Sequence, residues 1–197
     1  MVVNYNYKLK PFSHQLTALE RGWDRPEFGY FMEMGTGKSK VLLDNIGMLY
    51  LSGQIDFALV IAPKGVYRNW VAKEIPEHMS DDVPHRVIRW VASPNKTQQA
   101  EMRSVGEKFD GLTIFVMNVE AFSSVKGKTG GEWMARAFGR NGLIAVDEST
   151  TIKNPKAKRT KALMRIAAAF KYKRLLTGSP ITKSPMDIYS QCEFLRP

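Results

Sequence analysis

A single cysteine, Cys192, stands in 197 residues, so the chain can form no internal disulfide and no cysteine-built zinc cluster. No apolar run approaches the roughly 20 residues that a membrane-spanning helix needs. The opening MVVNYNYKLKPF has no apolar stretch ahead of a small-residue cleavage site, so it does not read as a signal peptide. Internal repeats, low-complexity tracts and linker-like segments are also missing. Together these absences lead us to expect one cytoplasmic domain with no membrane partner. Acidic residues are the remaining shortage: 19 Asp plus Glu against 29 Lys plus Arg, a net charge of +10. A field of that sign favours polyanions such as nucleic acid or an anionic surface. The plain alternative is a domain made basic for solubility.

What is present is ordinary for a globular protein, with 44% apolar and 24% charged residues and enough length for one substantial core. Short apolar runs suited to buried strands are 30–32, 57–62, 86–91, 112–117, 143–146 and 174–177. Helical patterns cover 13–23, 38–50, 67–75, 96–108, 132–138, 156–170 and 186–194. FALVIA and GLIAVDE are continuous rather than alternating, as strands buried on both faces are. Strand and helix taking turns predicts an α/β domain, a mainly parallel sheet covered by helices on both faces, with functional loops at the carboxyl ends of the strands. The Gly/Lys/Ser-rich segment 123–132 is expected to be a mobile loop.

Three segments carry chemistry. After the run YFM comes EMGTGKS and then a helix-compatible stretch. In that context Met34, Gly35, Thr36 and Gly37 would turn tightly and aim amides at phosphate oxygens at a helix N-terminus. Lys38 would reach the β- and γ-phosphates of ATP, and the Ser39 hydroxyl would ligate Mg2+. The usual pattern places a glycine where Met32 stands, so a glycine turn capping an ordinary helix is the alternative. Far downstream, GLIAVDEST ends a buried strand in Asp147 and Glu148. There Asp147 suits magnesium, usually through water, and Glu148 suits polarising the attacking water. The third segment, KRLLTGSPI, ends in Thr177, Gly178 and Ser179, small hydroxylated residues suited to bonding the acidic motif and sensing the γ-phosphate.

These residues together resemble the N-terminal RecA-like lobe of superfamily 2 helicases, a P-loop NTPase fold, and more narrowly the Swi/Snf group of DNA translocases. MEMGTGKS is similar to that group's DEMGxGKT, which also lacks the early glycine. The likeness covers nearly the whole chain, which is read as one such lobe over residues 1–197. LKPFSHQLTAL resembles the adenine-recognising motif, which implies that Gln15 bonds the base edge, that Phe12 or Tyr7 stacks on it and that His14 supports the pocket. VIAPKGVYRNWVAKEI, IFVMNVEAF, IKNPKAKRTKAL and LLTGSPITKSPMDIYSQCEFLRP resemble further motifs of the group. Where the group has Ala-His or Gly-His after the acidic pair, Ser149 and Thr150 follow here. A hydroxyl there can still bond Thr177 or Ser179. The resemblance implies a DNA-dependent ATP hydrolase whose second RecA-like lobe, with its arginine finger, lies beyond this sequence. An arginine finger is worth roughly 10³–10⁵ in turnover, so this piece alone is expected to be weakly active or inactive.

By the same resemblance, DNA lies across strand-end loops on the side away from the nucleotide. Pro63, Lys64, Arg68 and Asn69 form one contact set, Asn118 a second, Lys153 and Asn154 a third. These groups grip phosphates without reading bases, so binding is expected to be independent of sequence, with duplex favoured by the likeness. The run Lys153, Lys156, Lys158, Arg159 and Lys161 is either part of this surface or the solvated face of a basic helix. Trp70 is expected in the core, and His78 and His85 at the surface. Competing readings are a strand-separating helicase or restriction-type motor, a kinase or GTPase, which needs no Thr-Gly-Ser-Pro motif, and a DNA-binding lobe without turnover. Compact spacing between the motifs points to a bacterial or phage source.

Overall fold

The computed structural model describes residues 4–181 and 184–196. Thr182, Lys183 and Pro197, part of the last resembling segment, lie outside the described residues. Six strands form one all-parallel sheet: β1 (Glu27–Phe31), β2 (Phe57–Ala62), β3 (His85–Arg89), β4 (Leu112–Asn118), β5 (Gly142–Asp147) and β6 (Tyr172–Thr177). Their spatial order is β1-β6-β5-β2-β4-β3. The helices are α1 (Ser13–Gly22), α2 (Lys38–Leu51), α3 (Tyr67–Asn69), α4 (Ile75–His78), α5 (Lys96–Arg103), α6 (Val125–Phe138), α7 (Lys158–Ala167) and α8 (Tyr189–Leu195). A π-helical stretch, Trp70–Glu74, joins α3 to α4.

The strand pleat sorts the core into two layers. Ala58, Val60 and Ala62 of β2 pack with α1, α2 and the α3–α4 helix, whereas Phe57, Leu59 and Ile61 pack with α6, α7 and α8. All residues of β2, β5 and β6 are buried, which is why they read as continuous apolar runs. The polar residues buried in these strands are Asp147, Lys173, Thr177 and Arg174, and Arg174 of β6 is fully buried. Its guanidinium donates to Asn45 Oδ1 and to the carbonyls of Gly22, Trp23, Pro26 and Lys173 at 2.7–3.2 Å. Those acceptors tie β6 to α1, α2 and the start of β1 and offset the cost of burying the charge.

Two expectations need correction. The segment 123–132 is not a loop: Val125–Phe138 is one helix, with the Ser124 side chain accepting from the Gly127 amide. Its glycines hid the pattern, but two of them serve close packing. A Cβ at Gly127 would strike the Ala121 carbonyl, and one at Gly131 would strike Ile166 and Phe122. His78 and His85 are half-buried rather than superficial. His78 lies 3.7 Å from Glu74, and His85 Nδ1 sits 2.7 Å from the Val83 carbonyl. Among the described residues no helix is long and apolar enough to cross a membrane.

Candidate nucleotide site and strand-end surface

β1, β6 and β5 are sheet neighbours, so the loops that follow them emerge side by side. EMGTGKS follows β1, the Thr-Gly-Ser-Pro turn follows β6, and the acidic pair closes β5. The Met32 amide donates to the Thr177 carbonyl at 3.2 Å. A Cβ on Gly178 would lie 3.1 Å from Met34 Cγ. The first and third motifs therefore touch.

Gly35 and Gly37 have φ of 76° and 78°, the left-handed region that glycine enters without penalty. Gly37 is the N-cap of α2. Gly37 also has a second constraint, because a Cβ there would collide with Gln15 Nε2. The Lys38 ammonium folds over the loop and donates to the carbonyls of Met32 and Glu33 at 3.1 and 3.0 Å. Thr36 Oγ1 donates to the Glu33 carbonyl at 2.7 Å.

Gln15 is only 3% exposed. Its Oε1 accepts from the Phe12 amide and its Nε2 donates to the Thr36 carbonyl, both at 3.0 Å. Its visible contacts thus lock the start of α1 to the phosphate-type loop. His14 Nε2 lies 3.1 Å from the same carbonyl. The Phe12 ring, 68% exposed, lies parallel to the His14 ring at 5.8 Å. Tyr7 turns inward instead, edge-on to Tyr5 and beneath the Lys40 ammonium, so of the two candidate stacking rings only Phe12 faces outward.

Asp147 is 8% exposed. Burial holds its carboxyl above the usual range, opposed by bonds from the Trp70 indole and the Glu148 amide and by the charge of Lys38. The Trp70 Nε1–H donates to Oδ2 at 2.9 Å, and the Glu148 amide to Oδ1 at 3.0 Å. Glu148 has φ of 50°, the single non-glycine residue with positive φ among those described. Such strain persists where surrounding structure over-determines it, and it clusters at functional sites.

The expected bond from the residue after the acidic pair to Thr177 or Ser179 is not the one present. The Ser149 hydroxyl donates to Gln191 Oε1 of α8 at 2.5 Å. Gln191 Nε2 donates in turn to the carbonyls of Pro180 and Asp187 at 2.7 and 2.9 Å. Ser149 thus reaches the Thr-Gly-Ser-Pro turn through Gln191, because its hydroxyl faces α8. Thr177 Oγ1 accepts from the Ser179 amide at 3.2 Å, and Thr150 is half-buried beside the acidic pair. Gln191 lies 42 residues from Ser149, and no local pattern marks the pair.

The second group of strand-end residues follows β2, β4 and β5 on the same edge of the sheet. Lys64, Arg68, Asn69 and Asn154 are exposed; Pro63, Asn118 and Lys153 are half-buried. Glu120, which sequence reasoning passed over, binds this set together. Its Oε2 accepts from the Lys64 amide and from Asn118 Nδ2 at 3.1 and 3.2 Å. Asn69 Nδ2 donates to Glu74, and Asn154 Oδ1 accepts from the Lys156 amide. Lys153 lies 3.8 Å from Asp187. Of the basic run, Arg159 turns back to the Thr151 carbonyl at 3.1 Å, while Lys156, Lys158 and Lys161 are exposed.

The donor set fits magnesium bound with a nucleotide. Mg2+ takes most of its ligands from phosphates and water and only one or two from protein. The buried Asp147 carboxylate, near enough to Lys38 to feel its charge, and a half-buried Ser39 hydroxyl at the start of α2 supply that number. No cluster of three or more metal-binding side chains exists among the described residues, and none is needed for such a site.

Comparison with known proteins places the chain among relatives. A family model described as the SNF2-related domain matches residues 30–197. The chain is 23% identical over 167 residues to SNF2 domain-containing protein ENL1 of Oryza sativa subsp. japonica. It is 26% identical over 175 residues to Protein CHROMATIN REMODELING 20 of Arabidopsis thaliana. These matches cover 84% and 83% of this chain but 16% and 11% of the plant proteins. Among solved structures, the Sulfolobus solfataricus SWI2/SNF2 ATPase core in complex with dsDNA superposes with a TM-score of 0.72 at 22% identity, covering 100% of this chain and 38% of that one. The UvsW helicase from bacteriophage T4 superposes with a TM-score of 0.64 at 15% identity, covering 98% of this chain and 61% of that one. The fold is the RecA-like one.

Proposed function

Since the chain belongs to the SNF2-related domain family, we propose that it is the N-terminal ATP-binding lobe of a DNA-dependent ATPase that translocates on duplex DNA. The supporting observation is that EMGTGKS is joined to Thr177 and Gly178 packs on Met34, with the Asp147 carboxylate, at the end of a neighbouring strand, close enough for the Lys38 charge to lower its pKa. A glycine turn that merely caps a helix requires neither neighbour.

In this reading the amides around Gly35 and Gly37 and the N-terminus of α2 hold the phosphates. Lys38 exchanges its two loop carbonyls for phosphate oxygens. Ser39 and Asp147 hold the magnesium, which would supply charge neutralisation as the terminal phosphoryl group leaves. Glu148, held by its left-handed backbone, orients the attacking water. Phe12 offers the face on which adenine stacks, with Gln15 and His14 fixing the loop beneath it. Duplex DNA crosses Lys64, Arg68, Asn69, Asn118 and Lys153, gripped by its phosphates. The chain covers 38% of the archaeal core, which supports a second lobe elsewhere in the polypeptide as the opposing wall of the cleft. Compact spacing of the motifs supports a bacterial or phage source.

The test compares ATP turnover of the 197-residue chain and of a polypeptide extended by a second lobe, each with duplex, single-stranded DNA and RNA. The extended protein should be stimulated by duplex and silenced by Lys38→Ala. Stimulation by RNA or single strands but not by duplex would falsify the assignment. The likeness to the T4 helicase supports a second reading, strand separation; release of a labelled strand from a forked duplex by the extended protein would favour it.

A further inference from the structure

A concavity lies over the β3 edge of the sheet, between α5 and α6, and opens toward the strand-end surface through Ala92, Val125 and Lys126. Two adjoining cavities of about 380 and 590 Å3 share Trp90, Gln99, Met102, Gly130 and Trp133. Its floor is tied to the sheet: the Trp90 amide donates to the Val116 carbonyl at 2.9 Å, and the next amide, of Val91, points at Met102 Sδ. Trp133 is 42% exposed and Val125 at the mouth is 79% exposed. Grouped apolar exposure of this kind marks interaction surfaces, unlike scattered single side chains.

The glycines of α6 separate packing from an open floor. Gly127 and Gly131 are required because a Cβ would strike neighbouring groups. Gly130 is not: a Cβ there would meet the Trp90 ring at 3.4 Å, ordinary contact, with nothing else within 4 Å. A glycine inside a helix is less stable than alanine, so Gly130 weakens the helix without relieving a clash. What it does is leave the groove deep.

The charges around the groove indicate what fills it. Arg103, Lys126 and Arg136 are exposed on its rim, and no carboxylate is among the residues lining either cavity. A second copy of this chain, itself at +10, is a poor occupant. A single nucleic-acid strand needs a basic track along its backbone beside each stacked base, whereas here cations frame an apolar floor. We propose that the α5–α6 groove docks a peptide segment with one or two large apolar anchors flanked by acidic residues. Anchors filling the apolar floor would supply affinity, and carboxylates meeting the rim would set orientation and selectivity. The proposal does not rest on the nucleotide reading.

The experiment is selection of a displayed library of random peptides, about a dozen residues long, on the 197-residue chain, followed by titration of the enriched peptides and of oligothymidylate. Enriched peptides should combine Asp or Glu with Leu, Phe or Trp. Gly130→Leu, which fills the floor, should weaken them by about tenfold or more, and so should Arg103→Glu combined with Arg136→Glu, whose exposed positions leave folding intact. Failure to enrich, enriched peptides without acidic residues, or binding indifferent to both variants overturns the proposal. Oligothymidylate binding that these variants abolish while peptides bind unchanged overturns it in favour of nucleic acid.

Discussion

The indole N–H of Trp70 bonds the carboxylate of Asp147 at 2.9 Å across 77 residues of sequence. Trp70 is fully buried and opens the π-helical stretch directly after Asn69. One residue thereby joins the helix that presents Arg68 and Asn69 to the acid proposed to hold magnesium. Single π turns inside helices are frequent at functional sites, and this one positions the indole. Trp70→Phe keeps an aromatic ring, smaller than the indole, and removes the donor. We expect a stability loss of about 1–3 kcal/mol from the bond, to which the vacated space adds, and a carboxyl displaced further upward, since the lost bond opposed the effect of burial. Magnesium-dependent binding of a fluorescent ATP analogue should then need several-fold more Mg2+. Unchanged urea midpoint and Mg2+ dependence would mean that the bond has no role.

Gln191 is the second long-range link, taking a bond from Ser149 and giving one to Pro180. Gln191→Leu preserves bulk but leaves a buried hydroxyl and a carbonyl without partners, at a cost of about 1–3 kcal/mol. In the extended polypeptide, this variant should lose most of its duplex stimulation while keeping its basal turnover. A variant that loses basal and stimulated rates in equal proportion would show Gln191 to be structural only.

The sequence made the alternation of elements, the buried strands and all three loops around Lys38 legible, because each is written in contiguous residues. β1 was found only at 30–32 because it is an edge strand, half-buried over Glu27–Gly29, so periodicity signals it weakly. Of α6 the second half was legible as the helical pattern 132–138, and the first half was missed because the glycines of VKGKTGGE were read as loop-formers when two of them are packing contacts. Trp70–Asp147, Ser149–Gln191 and Glu120–Lys64 escaped for one reason: each joins residues far apart in sequence. Polar side chains of that kind carry no periodic pattern.

Gly35 and Gly37 look alike in sequence and in φ, yet their surroundings predict different outcomes. A Cβ on Gly35 meets nothing within 4 Å, whereas one on Gly37 collides with Gln15 Nε2. Both alanine variants incur about 1–2 kcal/mol for a left-handed alanine. Gly37→Ala must also expel Gln15 and break its bond to Thr36. Nucleotide affinity should therefore fall by about tenfold more in Gly37→Ala than in Gly35→Ala, as read by calorimetric titration with Mg-ATP. The double variant Gly37→Ala, Gln15→Ala should recover part of the difference. Equal losses in the two single variants would refute the clash.

Asp44, in the middle of α2, is fully buried, with Lys40 Nζ at 2.6 Å from one oxygen and the Tyr5 hydroxyl at 3.4 Å from the other. Burial outweighs both bonds and pushes its carboxyl up to about 6 from 3.8. The folded protein therefore holds this proton up to about pH 6, while the unfolded chain releases it near pH 4. Between those values the native state binds more protons, so stability falls as pH rises, by at most about 1.4 kcal/mol per pH unit from this group. Asp147, also raised by burial, acts in the same direction. His78, lowered by burial, acts in the opposite one, so total stability against pH is not diagnostic by itself. The difference between wild type and Asp44→Asn is, because Asp147 and His78 cancel in it. The variant presents Lys40 with an uncharged amide, as the protonated carboxyl of wild type does at low pH. Because the ionised carboxylate is the disfavoured state in the fold, the variant should gain stability relative to wild type as pH rises from about 4 to about 6 and hold that gain above it. Urea midpoints of both proteins across this range read it directly, and a variant that loses ground on wild type with rising pH would place the Asp44 carboxyl at or below its ordinary value.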